Sequence, residues 1–107
     1  MITLKSFDVP LEKALSAINT SSGRSWVSQQ RFPDHVLSRT FDYGFSFGLH
    51  CKDVGTFEGM INDHNLEVSV LRKVLKTMQD AIVQLNPDAD HLEVIKMIED
   101  ASGFTIQ

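Results

Sequence analysis

Between positions 40 and 51 the chain alternates without a break. Phe41, Tyr43, Phe45, Phe47, Leu49 and Cys51 hold the odd positions; Thr40, Asp42, Gly44, Ser46, Gly48 and His50 hold the even ones. A period of two puts every large apolar side chain on one face of a β-strand. Hiding each from water is worth about 1.5–3 kcal/mol, so the pattern demands an amphipathic element to cover the aromatic face. Twelve residues exceed the usual strand of about 5–6, and Gly44 or Gly48 is the natural place for a bulge or a break.

The remaining pattern supplies candidates for the cover. Ile2 and Leu4 alternate with Thr3 and Lys5, which predicts a short strand over residues 2–8. Leu11, Ala14, Leu15 and Ile18 recur at helical spacing behind Pro10 and ahead of Gly23, which predicts a helix over residues 10–21. Residues 25–28 suit a second short strand. Residues 29–34 read as loop because they contain Pro33 and lack a period. Thr56 opens a single apolar turn (Phe57, Met60, Ile61), which Asn62 to Asn65 break. The strongest helix spans residues 66–85: Leu71, Val74, Leu75, Met78, Ile82 and Leu85 form its stripe, and Arg72, Lys73, Lys76, Gln79 and Asp80 its polar side. Its length of about 30 Å matches the long strand, so Leu75, Met78 and Ile82 are expected to face Phe45 and Phe47. Leu92, Ile95 and Ile98 predict a final helix stopped at Gly103, with residues 104–106 as an edge strand. The two helix endings Ile18 to Gly23 and Ile98 to Gly103 share a spacing that ordinary glycine capping explains.

These elements assemble into one α+β domain over residues 1–107: a small, mostly antiparallel sheet with about three helices packed on one face, in two layers. Phe7-Asp8-Val9-Pro10, followed by Ala14-Leu15 and Ser22-Gly23, resembles the opening of the short N-terminal domain of secretins and TonB-dependent receptors. The resemblance covers about a quarter of the chain and would imply an exported protein. The same residues also make a general strand–proline–helix–glycine unit, and the long helix after residue 66 departs from that family's pattern.

Composition narrows the function classes. A hydrophobic share of 42% and a charged share of 22% suit a folded domain. A formal charge of −4 makes nucleic acid and acidic membranes poor partners. No apolar run reaches the roughly 20 residues of a membrane helix, and the first residues lack the basic and apolar regions of a signal peptide. A cytoplasmic protein is the expectation. With one cysteine, neither an internal disulfide nor a cysteine-rich zinc motif is possible.

Chemistry-bearing residues are sparse. His50, Cys51, Lys52 and Asp53 cluster in sequence, with Asp63 and His64 beyond, but the spacing fits no zinc pattern, and on a strand His50 and Cys51 point to opposite faces. Cys51 continues the apolar face and reads as a small buried hydrophobe. No metal and no cofactor are expected, since the chain has no P-loop, dinucleotide-binding glycine pattern or hydrolase elbow. The polar strand face (Asp42, Ser46, His50) and the basic helix face (Arg72, Lys73, Lys76) are the candidate binding residues. The expected function is therefore a non-enzymatic module, an inhibitor, immunity-type or adaptor protein that binds another protein, and through its open strand edge also a second copy of itself as a homodimer. Two alternatives come from other classes: a small ligand-binding or enzymatic domain using Asp42, His50 and His64, and a helix-turn-helix regulator presenting Arg72, Lys73 and Lys76.

Overall fold

The computed structural model describes all 107 residues and is all-helical, with 66% of residues in helices, 2% in strand-type pairing and no sheet. In chain order come α1 (Ile2–Ser6), α2 (Leu11–Asn19), α3 (Val27–Leu37), α4 (Phe47–Asp63), α5 (Ser69–Gln84), a short 3-10 turn (His91–Glu93) and α6 (Val94–Ser102). The expected α+β sheet is overturned. Its sole remnant is one antiparallel bridge between Ser46 and Asp90. The chain divides into two compact units, Met1–Tyr43 with Ile95–Gln107, and Gly44–Val94.

The alternating stretch fails as a strand for local reasons. Arg39, Phe41 and Gly44 take φ of 64, 48 and 88°, and a left-handed residue cannot continue an extended strand. Ser46 is extended (ψ 147°), and its hydroxyl oxygen accepts the Leu49 N–H at 3.4 Å, as a helix N-cap does. α4 begins at the next residue. A second period is hidden in the same letters. Phe47, Cys51, Val54, Glu58 and Ile61 stand at i, i+4, i+7, i+11 and i+14, one face of a helix. Phe47 and Ile61 are 0% and 2% exposed, whereas Leu49, placed in the core by the alternation, is 52% exposed. A helix satisfies its backbone within itself, while a strand needs neighbours. No other segment of this chain provides them.

In the first unit, α1 ends on Asp8 at φ 57°, with Val9 N–H bonded to Leu4 O and Asp8 N–H to Lys5 O, both at 3.0 Å. This left-handed cap turns the expected N-terminal strand into one helical turn. α2 buries Leu11, Ala14 and Leu15 and packs on α3. α3 occupies the residues read as a second strand and a loop. Its turns are wide, of the i→i+5 type, around Pro33. A proline has no N–H to give and crowds the preceding turn, and the wider winding accommodates it. The Ser28 carbonyl, five residues before Pro33, accepts from Asn19 Nδ2 at 3.1 Å instead. The residues expected as a C-terminal edge strand form no strand, and Ile106 is only 3% exposed. The two helix endings also differ: Gly103 takes φ 71°, whereas Gly23 is absent from the left-handed residues, and α2 stops earlier, at Asn19.

In the second unit, α5 packs on α4, not on a sheet. Leu75 and Ala81 are buried. Met78 and Ile82 face Cys51 and Val54 across an apolar cavity of about 140 Å3. Between the helices, Asn65 takes φ 51°, and Leu66 N–H and Asn65 N–H bond to Ile61 O and Asn62 O at 3.1 and 3.2 Å. These bonds close α4 at the break expected from Asn62 to Asn65.

The glycines of α4 separate structural need from tolerance. A Cβ on Gly48 would lie 3.1 Å from Pro87 O, while one on Gly59 would meet nothing within 4 Å. Gly48 N–H also holds that carbonyl at 2.9 Å, so the backbone cannot easily yield. Gly48→Ala is expected to destabilise the protein by about 1–3 kcal/mol through overpacking. Gly59→Ala should stabilise it by about 0.4–1 kcal/mol. Urea denaturation of both variants checks this, and two shifts of the same sign would contradict it.

Candidate functional site

A polar constellation lies in the first unit, where residues 38–43 fold back on α3. Phe41 N–H bonds to His35 O at 3.0 Å and Arg39 N–H to Val36 O at 3.1 Å. This return lays Asp42 and Tyr43 against Arg31 and His35, which stand four apart in α3. His35 Nδ1 lies 2.6 Å from Asp42 Oδ1, and the Thr40 hydroxyl donates to the same oxygen. The Thr40 hydroxyl first, and then His35, hold the Asp42 carboxyl below the usual range. An ionised carboxylate only accepts, so Nδ1 carries the proton in this pair and the ring orientation is fixed.

Tyr43 joins the two α3 side chains. Arg31 Nη2 donates to its hydroxyl at 2.7 Å, the guanidinium lies 4.1 Å above its ring centroid, and the His35 ring meets it edge-on at 5.5 Å. Arg31 Nε is buried and has no protein acceptor.

The second unit offers the other conspicuous feature, the start of α4. Helix N-termini preceded by glycines are where anions bind, through unpaired N–H groups. Here the protein uses those groups itself. Phe47 N–H bonds to Ala89 O at 2.8 Å, Gly48 N–H to Pro87 O at 2.9 Å and His50 N–H to Ser46 O at 3.1 Å, while Leu49 N–H is taken by the Ser46 hydroxyl. Gly44 N–H is held by the Asp90 carboxylate at 2.8 Å. The rings of His50 and His91 lie 5.4 Å apart, each against Phe45. No group of three or more His, Cys, Asp or Glu side chains converges as a metal site would require.

The residues singled out from sequence are scattered. Asp42 lies in the first unit; Ser46, His50 and His64 lie in the second. Ser46 is spent as the cap of α4 and His64 closes that helix, so His50 and His64 stand fourteen residues apart on it, about 21 Å. Arg72 donates to the Asn62 side chain, Lys76 pairs with Asp80 at 3.0 Å, and Lys73 is exposed beside them. Cys51 is half-buried with its thiol pushed up by burial, which disfavours a nucleophilic thiolate. Sequence reasoning missed Arg31, His35 and Tyr43. Their signal was the i, i+4 spacing of Arg31 and His35, which disappears once Pro33 is taken to break the helix.

Over residues 1–98 the chain matches the family described as NAD-binding of NADP-dependent 3-hydroxyisobutyrate dehydrogenase. It belongs to this family. No curated protein matches it. Membership of the dehydrogenase family overturns the expectation of an inhibitor, immunity-type or adaptor module and displaces the helix-turn-helix regulator considered beside it. The dehydrogenase-family domain has no helix long and apolar enough to cross a membrane.

Proposed function

We propose that this chain is the helical part of an NADP-dependent dehydrogenase for small hydroxy acids. The family match over residues 1–98 carries the reading. The family description implies a nicotinamide dinucleotide, whose pyrophosphate needs free backbone N–H groups at a glycine-rich turn into a helix. The one glycine-flanked entry to a helix in this chain, Gly44 to Gly48, does not fit it. Its N–H groups are occupied, and the space beside Gly48 is filled by Pro87. In this reading the phosphates are held by another domain, and the helical domain supplies side chains.

The assay uses the protein isolated from its host together with whatever it is joined to. Reduction of NADP⁺ by small 3-hydroxy acids is expected, followed by NADPH absorbance, and inactivity across that class would end the reading. The 107-residue chain alone should show no saturable NADPH binding in calorimetry; micromolar binding would return the phosphate cradle to these residues. The homodimer loses its strand-edge basis with the strand. We keep association with a second copy as a proposal on the exposed side chains of Phe57, Met60 and Val70, with sedimentation over a wide concentration range as its check. A strict monomer would remove it.

A further inference from the structure

We propose that Arg31 and His35 form a binding site for one oxyanion, the carboxylate or phosphate group of a small ligand. The inference stands on the first unit alone and does not rest on the dehydrogenase reading. Arg31 is half-buried, and its guanidinium makes one protein hydrogen bond, to the neutral Tyr43 hydroxyl. Its Nε–H is buried with no acceptor. The neighbouring carboxylate, Asp42, is engaged by His35 and Thr40 and is not shared with Arg31. Arg39 of the same unit shows the usual alternative. Its guanidinium is matched by both Glu99 oxygens and the Ile106 carbonyl.

The Nε edge of this guanidinium has lost water without gaining an acceptor, which is costly, and a buried donor without an acceptor calls for an explanation. A planar or tetrahedral oxyanion supplies both the charge and the acceptors, in charge-assisted bonds that suit the guanidinium fork. His35 adds a second donor as the imidazolium, since with Nδ1–H given to Asp42 only the doubly protonated ring carries a proton on Nε2. Asp42 occupies Nδ1, and Nε2 has no protein partner. The Tyr43 ring, with Arg31 over its face and the His35 ring edge-on to it, keeps the two side chains on one corner. Tyr43 is 37% exposed, so the corner is open to a ligand. Its two cationic or donor groups, Arg31 and His35, suit one anionic group.

The test is nuclear magnetic resonance on the full 107-residue chain with labelled arginine and histidine, titrated with sodium phosphate, acetate and chloride at constant ionic strength. Saturable shifts of the Arg31 Nε–H and His35 ring signals with phosphate or acetate, absent with chloride, are expected. Tighter binding of phosphate would assign a phosphate-bearing ligand, and tighter binding of acetate an organic acid; either supports the site. Arg31→Gln should weaken binding about tenfold or more, and His35→Gln by a smaller factor, as loss of charge-assisted hydrogen bonds predicts. Arg31→Lys should retain part of it, which guards against a variant that merely misfolds. No saturable shift, an equal response to chloride, or undiminished binding by folded Arg31→Gln would overturn the proposal.

Discussion

Leu75→Asp is expected to abolish cooperative unfolding of the second unit. Leu75 is 5% exposed on the face of α5 that packs on α4. At roughly 0.05–0.15 kcal/mol per residue, a unit of this size has only about 3–8 kcal/mol of stability. Truncating a buried leucine to alanine already costs about 2–5 kcal/mol, and an aspartate adds the cost of burying a polar or charged group without a partner. Together these terms exceed what the unit holds. The adjacent Lys76→Asp removes only the exposed pair with Asp80 and sets two acidic groups four apart, a loss of about 0.5–1 kcal/mol. Far-ultraviolet circular dichroism and calorimetry separate the two. Similar small shifts in melting temperature would mean that Leu75 does not face α4.

The helices with one clear period were legible in the sequence. The stripe from Leu71 to Leu85 is α5, the stripe from Leu11 to Ile18 is α2, and Gly103 closes α6 in the left-handed conformation expected of it. What was not legible follows from ambiguity in the letters themselves. Phe47 and Cys51 belong to both an alternating set and a helical set, and periodicity alone cannot rank them. Ser46 decides the matter, because an N-cap serine begins a helix at Phe47 and so removes half of the apparent strand. Pro33 misled in the opposite direction. It is a sound marker against a regular helix, but the wide turns of α3 admit it, with Asn19 taking over the carbonyl of Ser28.

The site was hidden by the same two errors. Asp42 was singled out, yet only beside Ser46, His50 and His64; its actual partner, His35, lies seven residues upstream. A strand keeps residues 42 and 35 far apart, whereas the left-handed Arg39 and Phe41 reverse the chain between them. Tyr43 was assigned to a core face and instead carries Arg31. The dinucleotide family was invisible to motif reasoning for a physical reason. The helical residues here contain no strand-to-helix glycine turn, so a search for that turn had nothing to find.

Glu99→Gln is expected to destabilise the protein by about 3 kcal/mol near neutral pH, and the deficit should vanish in acid. Glu99 is 6% exposed and accepts from Arg39 Nη1 and Nη2, at 2.5 and 2.9 Å, and from the Ile106 N–H at 2.7 Å. It thereby fixes left-handed Arg39 and the buried Ile106 in one contact. Burial pushes the Glu99 carboxyl up, but the Arg39 and Ile106 hydrogen bonds and the charges of Arg39 and Lys96 outweigh it and leave the carboxyl below its ordinary range. A carboxyl lowered on folding stabilises the native state fully above the unfolded value, and that stabilisation is lost as pH falls through the folded one. Glutamine keeps one acceptor and loses the charge. Removing one member of a buried pair costs about 3–5 kcal/mol, with the lower figure apt here because Arg39 is 30% exposed. Arg39→Leu should cost at least as much, since it strands the carboxylate. Urea denaturation of the parent and Glu99→Gln from neutral pH down through the glutamate range measures the difference. A gap that stays constant with pH would show that the charge on Glu99 contributes nothing.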